Sequence, residues 1–179
     1  MPSIEVNGLM FIHIPKTAGC SITRWMSATQ IKVKPTLFGC IHPSTSMIKT
    51  PFNETFTVVR NPWDRVVSLW AFWNKTNRMN TPFDTFVRNL HTYKFNEQSW
   101  FTFDQPQKAW FPNGVTYLLK FETLEEDFKV IQGKLGCNEP LPKINTTEHD
   151  DYRTYYTQET WDIVANVFKD DIEEFGYTN

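Results

Sequence analysis

"FIHIPKTAGCSI", residues 11–22, leaves an apolar run through Pro15-Lys16-Thr17 and passes straight into a helix-forming stretch. Lys16 stands where nothing apolar can pack, and Gly19, Cys20 and the hydroxyls of Thr17 and Ser21 lie close by. A strand–loop–helix of this composition makes an anion site. N–H groups at a helix start have no intrahelical partner, and the helix dipole adds a positive field. Each such contribution is modest, about 0.3–1 kcal/mol, and Lys16 adds a full charge. "LMFIHI" (9–14) reads as a buried strand and 18–28 as the helix after it. The plainer alternative is an ordinary turn with a solvated lysine.

The loop is not a Walker A sequence, G-x-x-x-x-G-K-S/T, because Lys16 precedes Gly19 instead of following it. Nor is it a cysteine phosphatase loop. Only three residues separate Cys20 from Arg24, too few to wrap amides around a phosphate beneath a thiolate.

A second stretch repeats the arrangement. "TFTVVRNPWDRVVSLW" (55–70) ends a strand rich in β-branched residues with Arg60 and opens a helix that carries Ser68. Asn61 suits the N-cap, Pro62 the first turn and Asp64 the positive end of the dipole. In an open α/β sheet, ligands bind at the carboxyl ends of strands. Arg60 and Lys16 are both expected there, which suggests a ligand with two separated anionic groups. Taken alone, Arg60 could equally cap a carboxylate and Ser68 could be a small packing residue.

Farther along, "TLFGCI" (36–41) is a possible strand and "GVTYLLKF" (114–121) a further one. Residues 122–135 read as an amphipathic helix and 157–176 as a long closing helix stopped by Gly176. Strands alternating with helices imply an α/β fold: a central, mostly parallel sheet flanked by helices. Residues 74–113 break the pattern as an irregular, aromatic insertion, and 136–156 form a second irregular stretch.

The totals agree with one such domain over all 179 residues. A net charge of −2 gives no sign of a general nucleic-acid binder. Cys20, Cys40 and Cys137 are scattered, which argues against a disulfide framework or a zinc site. The N-terminal residues have no basic region or long apolar run, and no stretch approaches the roughly 20 residues of a membrane span. The expected compartment is cytoplasmic, where the sequons at Asn53, Asn74 and Asn145 have no role.

These motifs are familiar as a set. "FIHIPKTAGCSI" resembles the 5′-phosphosulfate-binding loop of sulfotransferases, and "TFTVVRNPWDRVVSLW" resembles their 3′-phosphate-binding motif. The likeness is to the carbohydrate branch that includes heparan sulfate 2-O-sulfotransferases and chondroitin and HNK-1 type enzymes. "LLKFETLEEDFKVIQGKLG" (118–136) and "LPKINTTEHDDYRTYYTQETWDIVANVFKDDIEEFGY" (141–177) also resemble that branch. The family commonly has Thr or Ser where Cys20 stands and Asp where Asn61 stands.

The resemblance implies a P-loop-like, three-layer fold and the donor 3′-phosphoadenosine-5′-phosphosulfate (PAPS), with no metal. It implies that Lys16, Thr17, Gly19, Cys20 and Ser21 hold the 5′-phosphosulfate and that Arg60 and Ser68 hold the 3′-phosphate. "NTTEHDDYR" (145–153) matches a loop that closes over the nucleotide, which adds Thr146 and Arg153. Charge developing on the leaving oxygen would be met by Lys16 and helix-end amides.

The acceptor hydroxyl needs a base, and histidine suits the task. His13 reads as a core residue. His91 falls in the insertion and His149 in the nucleotide-side loop. His42 should emerge on the same sheet edge as Lys16 and Arg60, and in 2-O-sulfotransferase-like enzymes a histidine between the donor motifs is the base. Glu54 and Glu97 are the fallback candidates. The expected acceptor is a carbohydrate or other hydroxyl compound, met by Trp100, Gln105 and Lys108 of the insertion. The competing readings are a P-loop kinase-like enzyme and a catalytically inactive PAPS-binding module.

Overall fold

The computed structural model describes residues 4–6, 8–28, 34–35, 53–76, 78–95, 102–144 and 150–178. The chain forms two compact units, one from residues 1–60 and 108–146, the other from 61–107 and 147–179.

The first unit holds the sheet. Strands β1 (Ile4–Val6), β2 (Leu9–Ile12), β3 (Lys34–Pro35), β4 (Glu54–Val59) and β5 (Tyr117–Lys120) lie in the order β3-β1-β2-β4-β5. β2, β4 and β5 are parallel, with Phe11 beside Phe56 and Val59 beside Lys120. The helices flanking this parallel core make an α/β fold, as the alternation of strands and helices implies. The antiparallel strands β1 and β3 extend it. Val6 faces Leu9 across a two-residue connection. That connection reads Asn7-Gly8, the dipeptide best suited to a tight hairpin.

One face of the sheet explains the period-two pattern of its strands. Leu9 and Phe11 of β2, Phe56 and Val58 of β4 and Leu119 of β5 are buried together. Helix α1 (Gly19–Ala28) covers them with Ile22, Trp25 and Met26. Leu124, Phe128 and Ile131 join from the residues after β5. Residues 122–135, expected as one helix, are a short 3₁₀ turn, α4 (Leu124–Asp127) and α5 (Lys129–Leu135), divided at buried Phe128. Trp25 meets Phe128 edge-on at 5.0 Å between ring centres. Among the described residues β5 is an edge strand of this sheet, and its last N–H, that of Lys120, donates to Asp127 Oδ2 at 2.8 Å. The Thr123 hydroxyl donates to the same oxygen at 3.0 Å.

The second unit is helical: α2 (Pro62–Lys75), α3 (Phe83–Arg88), α6 (Gln158–Val167) and α7 (Lys169–Phe175). The expected closing helix is divided at buried Phe168 into α6 and α7. Asn61 caps α2 as expected, its side chain accepting from the N–H groups of Trp63 and Asp64. Trp63 stacks on Trp161 at 4.7 Å, and the Tyr156 hydroxyl donates to the Trp63 carbonyl at 2.8 Å. Burial holds the Tyr156 phenol well above its ordinary pKa. Several of the insertion's described aromatic residues turn inward. Phe86, Phe95 and Phe103 are buried and pack on one another, so their hydrophobic area stabilises this unit.

Candidate functional site

The site is built at the carboxyl end of β2. The strand stops at Ile12, so His13, expected inside it, already belongs to the loop. Lys16 and Ala18 take left-handed backbone, φ 69° and 65°, while Thr17 between them and Gly19 after them do not. A chain that alternates hand in this way turns successive N–H groups toward one concave side, which binds anions. Neither left-handed residue is glycine, and each such conformation costs on the order of 1 kcal/mol or more. Such strain persists only where the surrounding structure holds it.

Gly19 opens α1 because nothing larger fits. A Cβ there would lie 1.8 Å from Cδ2 and 1.9 Å from Nε2 of His13. The His13 ring is 4% exposed and stacks on Phe11 at 5.7 Å. It forms the floor on which the loop rests.

Arg60 follows β4 and reaches this loop from the neighbouring strand. Its Nη1 donates to the Lys16 carbonyl at 3.1 Å, and its guanidinium lies 4.1 Å over the Phe121 ring. This bond pins the strained Lys16 peptide. It also brings two positive charges together. Burial, and then the Arg60 charge, lower the Lys16 ammonium from its ordinary 10.5 to about 8, while Cys20 acts in the opposite direction. A neighbouring like charge and burial both disfavour the charged form of the lysine.

The hydroxyls divide. Thr17 is fully buried, and its hydroxyl donates to the Ile14 carbonyl at 2.9 Å. Ser21, 6% exposed, accepts from the Ile144 N–H at 3.3 Å. Cys20 is a free, half-buried thiol. Lys16, Thr17, Gly19, Cys20, Ser21 and Arg60 thus gather in one unit.

The remaining candidates lie elsewhere. Ser68 is buried on α2 and Arg153 is exposed beside Asp151, both in the second unit. His42, Thr146, His149, Glu97 and Trp100 lie outside the described residues. Gln105 and Lys108 are half-buried, and the Gln105 carbonyl accepts from Arg65 at 3.4 Å. His91 is exposed in a short 3₁₀ turn. Glu54 is unsuited to the base role. It opens β4, and Arg60 follows the other end of the same six-residue strand, a length of about 20 Å. There it pairs with Lys134 and accepts from the Tyr117 hydroxyl, contacts that lower its pKa. His13, Phe121 and Ile144 are parts of the site that the motifs did not point to.

Among the described residues, no helix is long and apolar enough to cross a membrane. A profile of the sulfotransferase family matches residues 4–178. An uncharacterized protein of Archaeoglobus fulgidus is 31% identical over 100 residues, which is 55% of this chain and 81% of that protein. No solved structure matches the chain.

Proposed function

The chain belongs to the sulfotransferase family, and from that premise we propose that it moves a sulfuryl group from PAPS to a hydroxyl of a carbohydrate acceptor. The observation that carries the reading is the pairing of Lys16 and Arg60 on a loop of alternating hand. Two cations on one loop suit an anionic ligand, and a nucleotide with phosphate groups at both ends of its ribose offers one group for each cation. The loop's N–H groups, Lys16 and Ser21 would hold the 5′-phosphosulfate. Arg60 and Ser68 would hold the 3′-phosphate, with Thr146 and Arg153 on the nucleotide's outer side.

In the transfer, the acceptor oxygen forms a bond to sulfur as the bond from sulfur to the 5′-phosphate oxygen breaks. The acceptor proton goes to His42, and 3′-phosphoadenosine-5′-phosphate leaves. Negative charge grows on the departing oxygen. Lys16 and the loop amides are fixed in place before the reaction, so they stabilise that charge without reorganising. Replacing His42 by Ala is expected to lower turnover about 10²-fold with nucleotide affinity unchanged. Stopped-flow sulfation assays beside calorimetry separate the two quantities.

The reading is tested by a thermal shift. At 100 times its dissociation constant, 3′-phosphoadenosine-5′-phosphate should stabilise the chain by about 2.7 kcal/mol. A shift with ATP and magnesium but none with this nucleotide would move the assignment to a kinase-like enzyme. Affinity should also depend on pH. Below about 8 Lys16 carries its charge in the free protein. Above that value binding must first take up a proton, so affinity should fall as pH rises, by up to about tenfold per unit.

A further inference from the structure

We propose that the main-chain N–H of Ile144 is a positioning group for Ser21, which makes the segment 136–144 a working part of the anion site. The inference rests on the sulfotransferase reading above. It begins with how the hydroxyls of α1 use their hydrogens. Inside a helix, Ser and Thr commonly donate to the carbonyl one turn back. Thr23 does so to Gly19 at 2.7 Å, and Ser27 to Thr23 at 2.8 Å. Thr17, just before the helix, donates to Ile14. Ser21 departs from this habit. Its oxygen accepts from the Ile144 N–H at 3.3 Å, and among the described residues its hydrogen meets no acceptor.

A buried hydroxyl with an uncommitted hydrogen is costly unless a ligand supplies the acceptor. Ser21 is 6% exposed and lies two residues past Gly19, on the first turn of the helix that the loop enters. A hydroxyl has one hydrogen and two lone pairs. The N–H of Ile144 occupies one lone pair, turns the hydrogen away from itself and polarises the O–H bond, which makes it a better donor. The acceptor this geometry asks for is an oxyanion at the loop.

Ile144 can do this because its segment is held. Gly136 ends α5 in left-handed conformation, φ 64°. The Cys137 N–H then returns to the Gln132 carbonyl at 3.0 Å. The Glu139 carbonyl accepts from the Trp25 indole at 2.6 Å and from Gln132 Nε2 at 2.7 Å. Cys137 and Leu141 pack against the core, and Lys143 pairs with Glu125 at 2.8 Å. Pro140 and Pro142 stiffen the run. Ser21 and Trp25 are four residues apart, so they share a face of α1. The strap meets that face at both of them.

The test is a double-mutant cycle read by titration calorimetry on the full chain. The ligands are 3′-phosphoadenosine-5′-phosphate and adenosine 3′-phosphate, which lacks the 5′ group. Ser21→Ala and Ile144→Pro, which removes the N–H, should each weaken the first ligand about 3- to 10-fold. Adenosine 3′-phosphate should change less than about twofold, and the double variant should bind like Ser21→Ala alone. Multiplied losses in the double variant, or unaltered affinity in Ile144→Pro, would overturn the inference. Hydrogen exchange covers a proline variant that does not fold. The bisphosphate should slow exchange at the Ile144 amide in the wild type and not in Ser21→Ala; equal slowing in both overturns it. A wild type that binds neither ligand, or both equally, would count against the donor reading instead.

Discussion

Replacing Lys16 by Met should lower sulfuryl transfer about 10²–10³-fold, the range expected when one preorganised donor to a departing oxygen is lost. The same change should raise stability. In the folded protein the ammonium is held beside the Arg60 guanidinium and out of water, which lowers its pKa to about 8. A group whose charged form folding disfavours is more favourably placed in the unfolded chain. Removing it should therefore stabilise the fold near neutral pH by about 2 kcal/mol, or roughly 4–8 °C in Tm. The pH profile gives an independent check. In the wild type the unfolded chain binds the extra proton between about 8 and 10.5, so stability should climb with pH across that window. The Met variant should lose that climb. Opposite signs in activity and stability distinguish a functional charge from a structural one. Losses in both would assign Lys16 to the fold.

Among the described glycines Gly19 leaves the least room for a side chain, so Gly19→Ala should be strongly damaging. The added methyl would fall 1.8 Å from the His13 ring. That ring is buried against Phe11 and has nowhere to retreat without opening the core. Either the ring leaves its place or α1 lifts off the loop, and both undo the arrangement that presents the amides. We expect a loss of about 3 kcal/mol, the upper part of the usual range for overpacking, together with loss of nucleotide binding. Denaturant melts of Gly19→Ala, His13→Ala and the pair should show strong coupling, the second change recovering part of the first. Simple addition of the two losses would mean that the ring and the glycine do not share the space as described.

The sequence exposed the parts of this molecule that depend on near neighbours. The parallel strands, the capped helix after Arg60 and the loop that joins β2 to α1 all showed as local patterns. The hairpin of β1 was within reach through Asn7-Gly8, but Ile4–Val6 is too short to announce a strand. β3, two residues ending in a proline, gives no periodicity at all. The left-handed backbone at Lys16 and Ala18 runs against the preference of both residues and is imposed by the surrounding structure, including a bond from Arg60, 44 positions away. His13 read correctly as buried. Its contact with Gly19 was not legible, because it depends on the path the loop takes. The bond between Ser21 and Ile144 spans 123 residues and uses a main-chain group, which carries no signature in the side-chain sequence.

Asp127 does more than cap a turn. An outermost strand with unsatisfied amides is a template on which another chain can add itself, and sheets that leave such a border open are prone to polymerise. Here the border is four residues long, and its final amide is already engaged by a carboxylate. An incoming strand would have to displace that charge to extend the ladder. The carboxylate thus sits where a further strand would have to pair.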